Sequence, residues 1–129
     1  MGDRGNIVVL QPGTKGKEAV CLYSHWGGSD LAKTLQTALQ RRRRWDDHSY
    51  LTRIIFCHMI GSDTGSETGF GIATSLPDNE HNLLIVDCEE QTVGVTESNL
   101  LKGKPNRKLS FEKFIALDET ALQNFFEEK

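Results

Sequence analysis

The hydrophobic period of this chain changes several times, and the resulting order of strand and helix patterns limits the fold more than any other feature. Residues 6–11 and 19–26 are rich in β-branched and apolar side chains. The glycine- and lysine-rich residues 12–17 between them have the composition of a turn. The first quarter of the chain is therefore predicted to form a β-hairpin.

Strand patterns return in the second half. Apolar residues alternate over residues 70–76, and a short apolar run covers residues 83–87. Residues 89–91 look like a hairpin connection to a partner strand at 92–96. Three more strands are therefore expected.

Apolar residues recur every three or four positions in three other stretches, which predicts amphipathic helices. The first is expected after Ser29 as its N-cap, the second after Asp46 or Asp47, and the last after Ser110, with a further apolar face behind it. The residues that define these faces are Leu31, Leu35, Ala38, Leu39, Leu51, Ile54, Ile55, His58, Met59, Phe111, Phe114, Ile115, Leu122, Phe125 and Phe126.

The order is thus ββααβββα, and its short strand connections favour antiparallel pairs. We predict one α+β domain over residues 1–129, with a roughly five-stranded antiparallel sheet and helices packed on one face. One core is expected to contain Leu35, Leu39, Ile54, Ile55, Phe70, Ile72 and Ile85.

Composition supports a chain that folds by burying its own core. Of the 129 residues, 37% are hydrophobic and 26% are charged, which is ordinary for a globular protein. No secretory signal or membrane span is visible, and the three cysteines lie in apolar segments, as buried thiols do. These observations predict a cytoplasmic protein that does not associate with membranes.

The net charge of −3 gives no overall attraction to nucleic acid, and no feature of the sequence indicates binding to duplex DNA. The basic residues are nevertheless clustered at 41–44 and again at Lys102, Lys104, Arg107 and Lys108. The stretch after Phe111 is acidic. The sequence pattern does not show whether the two clusters form one patch. It also does not show whether the chain forms a homo-oligomer.

The first candidate site lies at the predicted junction of a strand and a helix. His25 and Trp26 precede Gly27, Gly28 and Ser29, and free N–H groups at a helix start bind anions. We therefore interpret these five residues as ligand-binding. The alternative is that the glycines only form a tight turn while Trp26 packs in the core.

Three further residues are candidates. Arg44 and Trp45 close the arginine run and offer a cation beside a stacking surface, although such a run is more often a solvated helix end with the tryptophan packed against the next helix. Glu67 lies before a predicted strand, where it can meet His25 or His81 as an acid–base pair. Residues 78–80 are interpreted as a turn.

Sequence motifs for common cofactors fail. The two Gly-Lys pairs lack the upstream glycine of a phosphate-binding loop. Cys21 and His25, four positions apart on a strand, would lie roughly 13 Å apart, too far to share a zinc ion. No cofactor or metal is expected.

Several segments together resemble a family of small, uncharacterised bacterial and prophage proteins. The resemblance covers most of the chain up to about Asp87 and implies a phage or mobile-element setting, with no activity attached. The segments are residues 2–7, 23–28, 44–47, 50–56, 67–72 and 78–81.

Three functions remain in competition. The first is a non-catalytic protein that sequesters an anionic, nucleotide-like small molecule. The second is a small hydrolase or phosphodiesterase that uses His and Glu. The third is an inhibitor that acts through a protein interface, with the acidic tail and exposed aromatic residues as its surface.

Overall fold

A computed structural model describes residues 2–97 and 105–127. The strands are β1 (Gly5–Leu10), β2 (Ala19–Ser24), β3 (Phe70–Ala73), β4 (Leu83–Asp87), β5 (Thr92–Thr96) and β6 (Arg107–Ser110). The helices are α1 (Leu31–Gln40), α2 (His48–Ile60), α3 (Phe111–Ile115) and α4 (Glu119–Glu127), and a 3-10 turn, Gly28–Asp30, precedes α1. Among the described residues, no helix is long and apolar enough to cross a membrane.

The strands form one mixed sheet in the order β3-β2-β1-β4-β5-β6. The α+β class is confirmed, but the prediction of five antiparallel strands is wrong. The central strands β1 and β4 run parallel, because the chain between them passes through β2, two helices and β3 before it returns. The sixth strand, β6, includes Arg107 and Lys108 of the second basic cluster, where no strand was predicted, and its sequence RKLS has no apolar alternation.

The main core lies between the helices and one face of the sheet. Ile7, Leu22, Leu84 and Val95 point to that side from four neighbouring strands and are fully buried. All four helices contribute to the same cluster, so they pack on one face as expected. The opposite face carries a smaller buried cluster of Val8, Cys21, Leu83 and Ile85.

The single-core prediction is therefore correct only in part. Leu35, Leu39 and Ile55 lie in the main core, whereas Ile85 belongs to the opposite face. Ile72 is 61% exposed, because β3 is an edge strand of the sheet. Ile54 is buried but belongs to neither cluster, and Phe70 is half-buried.

Two of the predicted helix caps are confirmed. The Asp47 side chain accepts a hydrogen bond from the Tyr50 N–H, and Ser110 does the same for Lys113. The third is wrong, because Ser29 lies inside the 3-10 turn and α1 begins after Asp30 without a side-chain cap.

Not all of the cysteines are buried. Cys21 and Cys88 are buried. Desolvation raises the pKa of both thiols, and it raises the pKa of Cys88 to about 12. Cys57 is exposed on α2, contrary to expectation, with the Arg53 guanidinium 3.9 Å from its sulfur.

Candidate functional sites

Four segments meet at one end of the sheet. Because β1 and β4 are parallel and β2 and β3 pair antiparallel to their neighbours, the starts of β1, β3 and β4 lie beside the end of β2. The polar residues that flank these strand ends are brought together although they are far apart in the sequence. We call this region the sheet-end site; its residues are Asp3, Arg4, Tyr23, His25, Trp26, Ser29 and His81.

Asp3 is the centre of this site. Its Oδ2 accepts hydrogen bonds from the Ser29 hydroxyl at 2.6 Å and the Ser29 N–H at 3.1 Å, and its Oδ1 contacts Nε2 of His81. The hydrogen bond from the Ser29 hydroxyl, followed by that from His81, holds the pKa of Asp3 at about 2, below its usual 3.8. Because this carboxylate is ionised, Nε2 of His81 carries the proton between them.

The same residue occupies the donors that were predicted to bind an anion. The Gly28 N–H donates to the Asp3 carbonyl at 2.7 Å, and Ser29 donates to the Asp3 carboxylate through both its N–H and its hydroxyl. The Gly27 N–H donates to Oγ of Ser24 at 3.0 Å. An external anion would have to displace a carboxylate of this chain to reach the start of the helix.

Gly28 supports the alternative interpretation of this segment as a tight turn. It is buried, and a Cβ at this position would lie 2.7 Å from the Asp3 carbonyl oxygen and 2.7 Å from Cδ2 of His81. The glycine is needed for close approach of the two segments.

The half-buried His25 and the exposed Trp26 contact each other. Nδ1 of His25 lies 2.8 Å from the Tyr23 hydroxyl, and the imidazole meets the indole edge-on at 4.7 Å between centroids. The indole is 59% exposed, so it does not pack in the core. Its inner edge lies against Gly69, whose φ of +106° favours glycine and where a Cβ would lie 3.0 Å from the ring.

Residues 78–80 do more than turn the chain. Oε1 of Glu80 accepts hydrogen bonds from the N–H and Nε of Arg4 at 2.9 and 3.0 Å, and these contacts lower the pKa of Glu80. Asp78 accepts from the same guanidinium at 3.0 Å. The buried Asn6 side chain donates to the Asp78 carbonyl at 3.1 Å. These contacts fix the start of β1 beside the segment that leads into β4.

Glu67 is hydrogen-bonded to neither histidine in the described part of the chain. It is exposed and takes part in no side-chain hydrogen bond or ion pair within residues 2–97 and 105–127. The carboxylate beside an imidazole is Asp3, which the sequence reasoning did not select. No local signal identifies Asp3, since its partner His81 is 78 positions away.

The other candidates lie at the opposite end of α1. Ten residues of helix separate the Ser29 turn from the arginine run, a length of about 15 Å. Arg44 and Trp45 are thus not brought together with His25 and Trp26, and the predicted ligand-binding residues divide between two places.

The arginine run and the first turns of α2 line an open cavity of about 470 Å³, which we call the arginine pocket. Tyr50, Arg53 and Ile54 are spaced three and four positions apart, so they share one face of α2 beside the run. This spacing is the sequence signal that could have identified Tyr50 and Arg53. The lining residues are Arg41, Arg43, Arg44, Tyr50, Arg53 and Ile54.

The pocket carries an excess of positive charge. Within the described part of the chain, Arg41, Arg43 and Arg53 form no ion pair with a carboxylate. Arg44 lies 4.0 Å from Asp47, and its guanidinium sits over the Tyr50 ring, 4.6 Å from the centroid. Tyr50 is 49% exposed, so part of its ring is accessible to a ligand.

Trp45 holds the arginine run in place, and the Arg42 guanidinium lies over its ring, 5.4 Å from the centroid. Its indole packs edge-on against Phe111 at 5.3 Å between centroids, and Nε1 donates to the Leu39 carbonyl at 3.1 Å. Arg42 and Arg44 take left-handed backbone angles, with φ of +54° and +60°. Non-glycine residues hold such angles only where the surroundings impose them.

Arg42 points away from the pocket and braces it. Nη2 donates to Oε2 of Glu112 at 2.9 Å, and Nη1 makes a second bond to Oε1. The guanidinium lowers the pKa of Glu112, through this hydrogen bond above all. The pair links the arginine run to α3.

Only Arg107 and Lys108 of the second basic cluster belong to the described residues. Lys102 and Lys104 lie outside the described residues. Arg107 donates to the Phe125 carbonyl at 2.6 Å, and Lys108 pairs with Glu90 at 2.9 Å. Another cavity, of about 220 Å³, lies between α1 and α2 and is lined by residues that include both Asp30 and Lys33, so it lacks the charge excess of the arginine pocket.

Within residues 2–97 and 105–127, no three His, Cys, Asp or Glu side chains are grouped so that they could hold a metal ion. Comparisons with protein-family models, with curated proteins and with solved structures gave no match.

Proposed function

We propose that this chain is a non-catalytic binding protein that sequesters an anionic, nucleotide-like small molecule in the arginine pocket. One observation carries the proposal: Arg41, Arg43 and Arg53 line one cavity, and none of them has a carboxylate partner within residues 2–97 and 105–127. Uncompensated guanidinium groups in a concave site attract anions, and each presents a planar fork that fits a phosphate.

The pocket is also held ready for a ligand. Trp45 anchors the run from inside, and Arg42 ties it to Glu112 from outside. A loop that is already fixed loses less conformational freedom on binding, so more of the interaction energy appears as affinity. The resemblance to prophage proteins, which remains a prediction, suggests that the ligand is a signal of the host cell.

The proposed ligand class is the one predicted from the sequence, but the proposed binding site is a different one. The helix start at Gly28 and Ser29 is less suitable, because Asp3 already accepts its hydrogen bonds and brings a negative charge to the site. We therefore expect Trp26 to Ala to leave the affinity for anions unchanged, provided that the variant folds.

Titration with inorganic pyrophosphate at rising salt tests the proposal. The affinity should fall as salt screens the guanidinium groups. Arg43→Gln and Arg53→Gln should each weaken binding about tenfold, since each removes a charged hydrogen-bond donor. Lys17→Gln, which removes an equal charge from the exposed turn between β1 and β2, is the matched control and should change little.

The parent protein should also retain small molecules through a purification at low salt, which mass spectrometry can identify. If the parent binds no pyrophosphate or nucleotide, the anion-binding proposal is wrong and the protein-interface hypothesis takes its place. If the Lys17 variant loses as much affinity as the Arg43 and Arg53 variants, binding is unspecific.

A second candidate function, a small hydrolase, is favoured by the contact between Asp3 and His81. With Nε2 protonated toward the carboxylate, a neutral His81 ring has Nδ1 as its acceptor, the arrangement of a general base. The expected pairing with Glu67 is replaced here by Asp3. A chromogenic phosphodiester tests this function: turnover by the parent and its loss in His81→Gln and Asp3→Asn would support it, and no turnover by the parent would contradict it.

A further inference from the structure

The residues that line the arginine pocket are of two chemical kinds. Arg41, Arg43 and Arg53 are cations without a carboxylate partner among the described residues. Tyr50 and Arg44 form a stacked pair, 4.6 Å from guanidinium carbon to ring centroid. A ligand that uses both kinds must itself have two parts.

The positive charge of the pocket indicates how many phosphate groups the anionic part of the ligand carries. A single phosphate carries at most two negative charges, so at least one of these three guanidinium groups would remain without an opposite charge from the ligand. A diphosphate offers more charge and enough oxygens for several guanidinium forks. Arg44 adds a fourth cation, only loosely held by Asp47 at 4.0 Å.

The stacked pair of Tyr50 and Arg44 indicates the chemistry of the second part of the ligand. Tyr50 is 49% exposed, and Arg44 covers its ring from one side. Aromatic rings and guanidinium planes are the surfaces on which nucleobases stack in proteins. A base placed on this pair would lie beside the cations that hold its phosphates.

Size and overall charge favour a small ligand over a polymer. A cavity of about 470 Å³ falls within the range of roughly 300 to 1,000 Å³ that is usual for small-molecule sites. The chain as a whole carries a net charge of −3, which repels a long polyanion beyond the pocket.

We infer that the ligand carries at least two phosphate groups, bound by Arg41, Arg43 and Arg53, and a nucleobase stacked on the Tyr50–Arg44 pair. This inference rests on the proposed function, since it specifies the ligand of the same pocket. It assigns a specificity role to Tyr50, which a pocket that binds any multivalent anion would not need.

Calorimetric titration with ADP, UDP, AMP, adenosine, pyrophosphate and a single-stranded oligonucleotide tests the inference. ADP or UDP should bind more tightly than AMP and more tightly than pyrophosphate, and adenosine should bind most weakly. Tyr50→Leu should lower the affinity for the nucleoside diphosphate at least about fivefold and leave that for pyrophosphate unchanged. Tyr50→Phe, which keeps the ring, should bind as the parent does.

Each contrary result has its own meaning. Equal affinity for pyrophosphate and the nucleoside diphosphates, unaffected by Tyr50→Leu, overturns the stacking role but leaves the proposed function standing. If AMP binds as tightly as ADP, the inference that the ligand carries a second phosphate group is wrong. Tighter binding of the oligonucleotide than of any nucleotide overturns the small-ligand class, and the absence of binding by every ligand overturns the proposed function with it. Thermal melting of each variant confirms that it is folded.

Discussion

The Asp3 carboxylate and the His81 imidazole are hydrogen-bonded across 78 positions of the sequence. The contact joins the segment before β1 to the segment before β4, the two strands that pair in parallel. It is reinforced by Ser29, which donates two hydrogen bonds to the same carboxylate. Asp3 therefore connects three separate parts of the chain through its ionised form.

The first prediction concerns the pH dependence of this contact. The pKa of Asp3 is about 2 in the folded protein, below its usual 3.8, so the unfolded chain takes up this proton first as the pH falls. The stabilisation by Asp3 should be complete above its usual pKa and should decline as the pH approaches the folded value.

Comparing the melting temperatures of the parent and Asp3→Asn over this acidic range tests the prediction. The parent should be more stable at neutral pH, and the difference should shrink toward about pH 2. A difference that stays constant down to that pH would show that Asp3 acts through its shape and not its charge.

The second prediction uses two isoleucines with opposite surroundings. Ile55 is fully buried under the helices, whereas Ile72 on the edge strand is 61% exposed. Ile55→Ala should lower the free energy of unfolding by about 2 to 5 kcal/mol, because it leaves a cavity. Ile72→Ala should change it by no more than about 0.5 kcal/mol. Similar losses in denaturant titrations of the two variants would contradict the assignment of the core.

This pair also shows what the sequence could predict. The periodicity of α1 and α2 identified these helices, and the apolar residues of 83–87 and 92–96 identified two strands. The inward face was identified for Leu35, Leu39 and Ile55 but not for Ile85, which lies on the opposite side of the sheet. Periodicity could not show that β3 lies at an edge, where the same alternation leaves Ile72 exposed.

The sites were predicted less completely, for a physical reason. The neighbours within the arginine pocket are close in sequence, so the run at 41–44 was identified, but Tyr50 and Arg53 were not named as part of the site. The sheet-end site depends on the parallel pairing of β1 and β4, which brings Asp3 to His81. No pattern in either segment alone indicates that pairing.

The third prediction concerns the close approach at Gly28. In Gly28→Ala the new Cβ would lie 2.7 Å from the Asp3 carbonyl oxygen and 2.8 Å from the carbonyl carbon of Arg4. Backbone on both sides must shift, so the free energy of unfolding should fall by about 1 to 3 kcal/mol. Gly71→Ala is the control, since its Cβ would have no neighbour nearer than 4.0 Å. Equal stability of the two variants in denaturant titrations would contradict the packing at the sheet end.

The last prediction asks whether Arg42 and Glu112 affect anion binding by holding the arginine run in place or by their charge. Arg42 lies outside the pocket, and its two hydrogen bonds to Glu112 help to hold a run in which Arg42 and Arg44 have left-handed backbone angles. Removing either partner frees the run, and the ligand must then order it on binding. Arg42→Gln and Glu112→Gln should therefore both weaken the binding of pyrophosphate, by about two- to tenfold.

In Glu112→Gln, the direction of the change in affinity distinguishes the two explanations. It removes a negative charge near the pocket, so an effect of charge alone would strengthen the binding of an anion. A loss of affinity in Glu112→Gln, measured by calorimetry at constant salt, can arise only from the lost brace. The double variant should lose little more than Arg42→Gln alone, because that variant already lacks the contact with Glu112. A gain of affinity in Glu112→Gln would show that the run keeps its conformation without Arg42, and that Trp45 alone fixes the pocket.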